Sequence, residues 1–245
     1  MLPPEILAEQ VMGYVVWASE MIPTLKPSKN PYSVAILPQW PHFYTWLLQA
    51  AGYLLLDEQK KKLLIISQQQ DDEINILIDN TNYGPVFGQK REYSEKTLAS
   101  IAKTINAKIT TPDQQSLLDE QIRFQLPFLR VITDTEEILH ISIGEKITSS
   151  LLKKCITWIQ KNIQNYNIVL LTNIELSPST TSQKSDEHKQ IAKLIETPPT
   201  KMILLTLFQK ILASQKRHPE VVAYVNPSDF AKKTNMTTRY ICAVG

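Results

Sequence analysis

The chain has 245 residues, 43% apolar and 20% charged, enough for one ordinary α/β domain with a sizeable core or for two small ones. Lys and Arg total 26 against 24 Asp and Glu, a net charge of +2, and no basic stripe with interleaved aromatics is present, so nucleic acid is not an expected partner. Two cysteines make no disulfide framework, no apolar run reaches the ~20 residues of a membrane span, and the Met1-Leu2-Pro3-Pro4-Glu5 opening lacks a basic leader, so the expected location is the cytoplasm.

In chain order, residues 4–22 predict an amphipathic helix, with Leu7, Val11, Tyr14, Val15, Ala18, Met21 and Ile22 on one face. Pro23, Pro27 and Pro31 predict an extended linker, so residues 1–33 are read as a helix and linker belonging to the same domain as 34–245. Val34–Leu37 reads as a short buried strand. Pro41 suits the first turn of a helix over about 42–56 that is apolar around most of its surface. Leu63–Ile66 and Ile74–Ile78 read as strands, and Gln59-Lys60-Lys61-Lys62 as a solvated turn before the first of them. Ser94 is the expected N-cap of a helix running to about Ile105. Residues 106–119 read as loop, and 121–132 as a helix interrupted by Pro127.

Ile138–Ile143 predicts a strand in which His140 alternates with apolar neighbours as a half-buried packing residue. Ser149–Asn162 predicts a helix carrying Cys155. Ile168–Leu171 predicts a strand of the continuously apolar type found in sheets covered on both faces. The Ser-, Thr- and Pro-rich stretch 177–186 predicts a surface loop, 186–195 and 201–214 predict helices, and Val221–Val225 and Tyr240–Val244 predict the closing strands, with Cys242 buried and reduced. Alternating strands and helices predict a single three-layer α/β/α domain with a mostly buried central sheet. Six glycines and no Gly-x-Gly-x-x-Gly or Walker-type run leave no expected glycine-rich phosphate loop.

Several segments carry a resemblance in collinear order from Val34 to Gly245. Asp119-Glu120-Gln121-Ile122-Arg123-Phe124-Gln125-Leu126-Pro127-Phe128-Leu129 is similar to the Glu-His-Ser-Leu-Glu-Val-Gln-Leu-Pro-Phe-Leu segment of the Memo family. Val34 to Tyr44 resembles that family's strand and Pro-His-Ala-Gly-Tyr-x-Tyr turn. Ser67-Gln68-Gln69-Gln70 stands where the family has Gly-Pro-Asn-His, and Glu175-Leu176-Ser177 on its Asp-Leu-Ser positions. Tyr83 to Gly88, Ile138 to Gly144 and the stretch from Tyr224 to Asp229 followed by Tyr240 to Ala243 also resemble family segments, whereas the family's Gly-x-Phe-Tyr-Pro opening is not visible in residues 1–33. The resemblance implies a fold like that of the Memo proteins and the non-haem iron extradiol dioxygenases, in a family whose bacterial members occur alongside radical-SAM proteins.

The resemblance also implies a metal site beyond the carboxyl ends of several strands, and this chain departs from it there. The family's imidazole positions hold Gln39, Gln70, Glu120 and Pro178, and the later Cys-Gly pair falls on Pro198-Pro199. Amides and prolines do not replace imidazoles for a transition metal, so no metal and no cofactor are expected. Among the four histidines, none makes a His-x-x-x-His or His-Glu-x-x-His spacing; His42 lies nearest the expected cleft, on a family Tyr position. Ser177 and Ser228 lie in no nucleophile-elbow sequence. The expected cleft comprises Gln39, His42, Gln70, Glu120, Glu175, Ser177, Asn226 and Asp229.

The resulting expectation is a non-catalytic Memo-like protein that binds an unidentified small molecule or protein partner in a vestigial active-site cleft. The alternative is a metal-dependent enzyme, of dioxygenase, redox or hydrolase type, with His42, Glu120, Glu175 and Asp229 as relocated ligands. Tyr14 and Trp17 on the first helix allow a self-associating subunit, against the plainer expectation that this helix packs over the sheet.

Overall fold

Strands with no polar face need cover on both sides, and that requirement organises this chain. The computed structural model describes residues 4–21, 31–39, 45–69, 76–79, 93–110, 122, 125–133, 135–172, 174–175, 184–199, 202–225 and 238–245. Its strands are β1 (Val34–Leu37), β2 (Lys62–Gln68), β3 (Ile76–Ile78), β4 (Lys108–Ile109), β5 (Glu137–Ile143), β6 (Tyr166–Leu171), β7 (Ile174–Glu175), β8 (Glu220–Val225) and β9 (Thr238–Val244). They form one sheet in the order β4-β3-β5-β2-β6-β1-β9-β7, with β8 also paired to β9. The centre, β5-β2-β6-β1, is parallel; β3 runs antiparallel to β5, and β9 antiparallel to β1, β7 and β8. Every residue of β1 and β6 is buried, which accounts for the unbroken apolar runs Val34–Leu37 and Ile168–Leu171.

The two faces carry separate cores. One receives Val34, Ile36, Leu64, Ile66, Leu139, Ile141, Ile168 and Leu170 and is covered by α3 (Glu95–Ile105), α5 (Ser149–Asn162), α6 (Lys184–Glu196) and α7 (Ile203–Gln215). The other receives Ala35, Leu37, Leu63, Ile65, Val169 and Leu171 and is covered by α1 (Pro4–Met21), α2 (Trp46–Leu54) and α4 (Leu126–Ile132). The result is the expected three-layer α/β/α domain. Each large apolar side chain fully buried in these layers contributes about 1.5–3 kcal/mol.

Local signals set several boundaries. Ser94 caps α3, its hydroxyl accepting from the Thr97 N–H at 3.2 Å, and Thr148 caps α5 the same way. Ser94→Ala is expected to lower stability by about 1 kcal/mol, read as a reduced urea midpoint with unchanged slope. Asn106 ends α3 at φ 57°, a left-handed position that Asn tolerates better than most side chains.

Three expectations are corrected. Residues Lys108–Ile109 form β4 inside the stretch read as loop, because β3 offers an edge to pair with. Pro127 opens α4 instead of interrupting it, since a proline in the first turn gives up no helical bond. Helix α1, by contrast, lies over one side of the sheet as expected, packed on α2 and α4, with Val11 and Ala18 buried and Met12, Val16 and Trp17 exposed.

The third concerns the Lys60 turn. Its ammonium is not solvated: it donates to Ser33 Oγ at 2.8 Å and to the carbonyls of Ile163 and Tyr166 at 2.9 and 3.2 Å, while burial pushes its pKa down. Neighbouring Lys62 pairs with Glu137 at 2.7 Å. Both cysteines are buried free thiols, as expected. Among the described residues no helix is long and apolar enough to cross a membrane.

The sheet layers also hold tyrosines whose ionisation is suppressed. Burial, then the hydrogen bond to Glu220 and that carboxylate's charge, pushes Tyr32 up to about 12. Burial raises Tyr53, and burial with the Tyr166 hydrogen bond raises Tyr93. A phenol whose folded pKa is raised holds its proton where the unfolded chain has lost it. Its stabilisation is therefore complete below the unfolded value of 10.0 and lost as pH rises through about 12 for Tyr32. The melting temperature is expected to fall across that window, and to fall less steeply in Tyr32→Phe.

Candidate functional site

Side chains alternate along a strand, so residues of one parity share a face. On the α1/α2/α4 face, the parity that places Leu63 and Ile65 places Ser67, and the parity that places Ile138 places His140 and Ser142. Register sets Ser142 opposite Ser67 and His140 opposite Ile65. Antiparallel pairing of β3 with β5 sets Ile78 opposite Ile141, and the next residue, Asp79, donates its N–H to the His140 carbonyl at 3.0 Å. Register in β2 and β5 and the end of β3 thus bring four polar side chains together on one face of the sheet.

They form a connected array. Ser67 Oγ lies 2.8 Å from His140 Nε2, His140 Nδ1 lies 3.3 Å from Asp79 Oδ2, and Ser67 Oγ is 3.1 Å from Ser142 Oγ and placed to donate to it. Ser67 and Ser142 are 0% exposed, His140 1% and Asp79 6%. An ionised carboxylate only accepts, so an ionised Asp79 holds a proton on His140 Nδ1. With neutral imidazole, Nε2 then accepts from the Ser67 hydroxyl, and Ser142 turns to donate to Ser67. With imidazolium, Nε2–H donates to Ser67, whose own hydrogen points to Ser142. The two protonation states exchange by rotation of two hydroxyl hydrogens, without movement of any heavier atom. His140 is therefore not the half-buried packing residue its alternation predicts; it is fully buried and bonded through both ring nitrogens.

Beside this array, the carboxyl ends of β1 and β2 carry amides. Gln39 follows β1 and donates from Nε2 to the Gln68 carbonyl at 3.2 Å. Gln69 follows β2 and donates from Nε2 to the Ser142 carbonyl at 2.9 Å and from its backbone N–H to the Ile143 carbonyl at 2.8 Å. Gln49, on α2, reaches the Pro38 carbonyl at 3.5 Å and leaves a buried Oε1 with no hydrogen-bond partner among the described residues. Gln125, at the start of α4, accepts from the Tyr53 hydroxyl at 3.0 Å and leaves its buried Nε2 unpartnered.

Of the expected cleft, Gln39 is placed where the reading put it, at the carboxyl end of β1 and nearly buried. Glu175 lies in β7, with its side chain outside the described residues. His42, Gln70, Glu120, Ser177, Asn226 and Asp229 lie outside the described residues. Among the described residues no group of three His, Cys, Asp or Glu could hold a metal ion. Sequence reading missed Ser67, Gln69, Asp79 and Ser142; the available signal was polar residues interrupting buried strands.

A second surface feature lies on the outer helix. A groove of about 460 Å³ is lined by Gln10, Gly13, Tyr14, Trp17 and Trp46, with Tyr14 edge-on to both Trp17 and Trp46.

No protein-family model and no curated protein matches the chain. Among solved structures it is similar to an uncharacterized protein from Escherichia coli K12, at 10% identity and a TM-score of 0.46, over 86% of this chain and 99% of that one.

Proposed function

We propose that the chain is a Memo-like protein whose crevice binds a small molecule or a protein partner without metal chemistry. The observation that carries this reading is the set of neutral amides, Gln39, Gln49 and Gln69, at the carboxyl ends of β1 and β2. Gln39 stands where the resemblance calls for an imidazole, and its amide nitrogen is committed to the Gln68 carbonyl. An amide nitrogen has no lone pair to give a transition metal, and an amide oxygen is a weak donor to one. The unpartnered Gln49 Oε1 supports a ligand that supplies a hydrogen-bond donor, since a buried acceptor left alone destabilises by about 1–3 kcal/mol. The fitting class is a polar molecule or peptide carrying amide-like donors and acceptors.

Native mass spectrometry of the purified protein tests this. The expected spectrum contains a non-covalent adduct or partner complex that survives chelator treatment. Its affinity is expected to fall roughly fivefold in Gln39→Ala, the loss of about 1 kcal/mol of hydrogen bonding. An adduct that disappears with chelation, together with a released metal ion, would instead favour the relocated-ligand enzyme.

A further inference from the structure

We propose that the groove on α1 binds a small organic cation bearing a quaternary ammonium group, held against the rings of Tyr14, Trp17 and Trp46. None of these rings takes part in the metal-free crevice binding proposed above, so this is a second site.

The groove is built from one face of α1. Gln10, Gly13, Tyr14 and Trp17 stand at i, i+3, i+4 and i+7, and Trp46 at the start of α2 completes the lining. Tyr14 and Trp46 are half-buried against the core beneath α1, and Trp46 meets the buried ring of Phe128 edge-on with centroids 6.2 Å apart. Packing therefore holds these two rings in place before any ligand arrives. Trp17 is 61% exposed, so solvent and ligand reach the groove directly.

The rings select the shape of the occupant. Tyr14 lies at 84° to Trp17 and at 78° to Trp46, with centroids 6.0 and 5.3 Å away. Rings set at right angles share no plane on which a flat aromatic or guanidinium group could stack against all three. A compact, roughly spherical head can touch each of them, and a trimethylammonium head is such a group.

The helices select the sign of its charge. Helix α1 carries Glu5, Glu9 and Glu20 and no Lys, Arg or His, and α2 carries no charged residue. Glu20 is exposed, lies one turn beyond Trp17 on the same stripe, and stands at the negative end of the helix dipole. Neither helix lining the groove thus supplies a cation of its own to occupy the ring faces.

Gly13 points the same way independently. Glycine inside a helix is less stable than alanine there, and a close neighbour usually explains it. At Gly13 an added Cβ would meet nothing within 4 Å, so packing does not require glycine. What the absent side chain preserves is the open volume of the groove, about 460 Å³, which accommodates a quaternary head with a short tail.

Amide and indole NMR of the full chain, titrated with choline, tests the proposal. The paired control is neohexanol, the uncharged alcohol in which carbon replaces the choline nitrogen. Saturable shifts are expected at Gly13 and at the indole N–H groups of Trp17 and Trp46 with choline, and roughly tenfold weaker binding with neohexanol. Trp17→Ala is expected to weaken choline binding at least ~tenfold. Gly13→Leu is expected to abolish it by filling the groove, with no fall in melting temperature, because the change improves helix propensity into open space. Circular dichroism confirms that both variants keep their helices. No saturable shift with choline in the folded wild-type protein would overturn the proposal. Equal affinity for neohexanol would also overturn it, as would a dimer that Trp17→Ala dissociates and choline does not, since the face would then serve a second copy of the chain.

Discussion

Asp79→Ala is expected to lower the unfolding free energy by about 3 kcal/mol, measured by urea denaturation at neutral pH. Asp79 and His140 are both buried, and the carboxylate oxygen lies 3.3 Å from His140 Nδ1. Removing it leaves an imidazole N–H without its acceptor in a region that water does not supply, so the desolvation of that group is no longer offset. The variant also loosens the end of β3, where the Asp79 backbone N–H bonds the His140 carbonyl beside the same contact. Asp79→Asn keeps an acceptor oxygen and is expected to destabilise less. A double-mutant cycle with His140→Ala isolates the pair, and a coupling energy of ~1.5–3 kcal/mol is expected. A coupling near zero would mean that the two side chains do not interact as described.

Gly52→Ala is expected to destabilise by about 2 kcal/mol, although alanine in a helix interior is normally favoured over glycine by about 1 kcal/mol. Helix α2 lies directly on β1 and β9, and a Cβ at Gly52 would collide with Leu37 Cδ2 while meeting Leu37 Cγ at 3.2 Å and Cys242 Sγ at 3.3 Å. Leu37 is fully buried, so moving it aside disturbs a packed core. Combining Gly52→Ala with Leu37→Ala should therefore cost less than the sum of the two single changes. If Gly52→Ala alone stabilises the protein, α2 does not approach the sheet this closely.

The fold was legible where local chemistry decides it. Val34–Leu37 and Ile168–Leu171 have no polar position, which marks strands covered on both faces, and Ser94 announces the start of α3. The short strands β4 and β7 were not legible, because two-residue pairings are decided by the neighbouring strand and not by their own residues. Pro127 carried an ambiguous message, since proline both breaks a helix interior and opens a helix.

The array was illegible for a related reason. Ser67, Asp79 and His140 lie 12 to 73 positions apart in the chain, and only the order β3-β5-β2 and the register of those strands bring them together. The resemblance directed attention to positions after strands, and Gln39 is where it pointed. It said nothing of polar side chains inside β2 and β5. Lys60 shows the converse: a run of lysines reads as solvated, but one of its members is drawn inward by three oxygen acceptors.

The central proposal is that the neutral amides at the carboxyl ends of β1 and β2, rather than metal ligands, form the binding site. Elemental analysis of the folded protein, purified without chelator and then reconstituted with iron(II), copper(II), zinc(II) or manganese(II) and desalted, tests it most directly. The account predicts far less than one equivalent of any of these metals. One equivalent of a metal retained by the folded chain would contradict it.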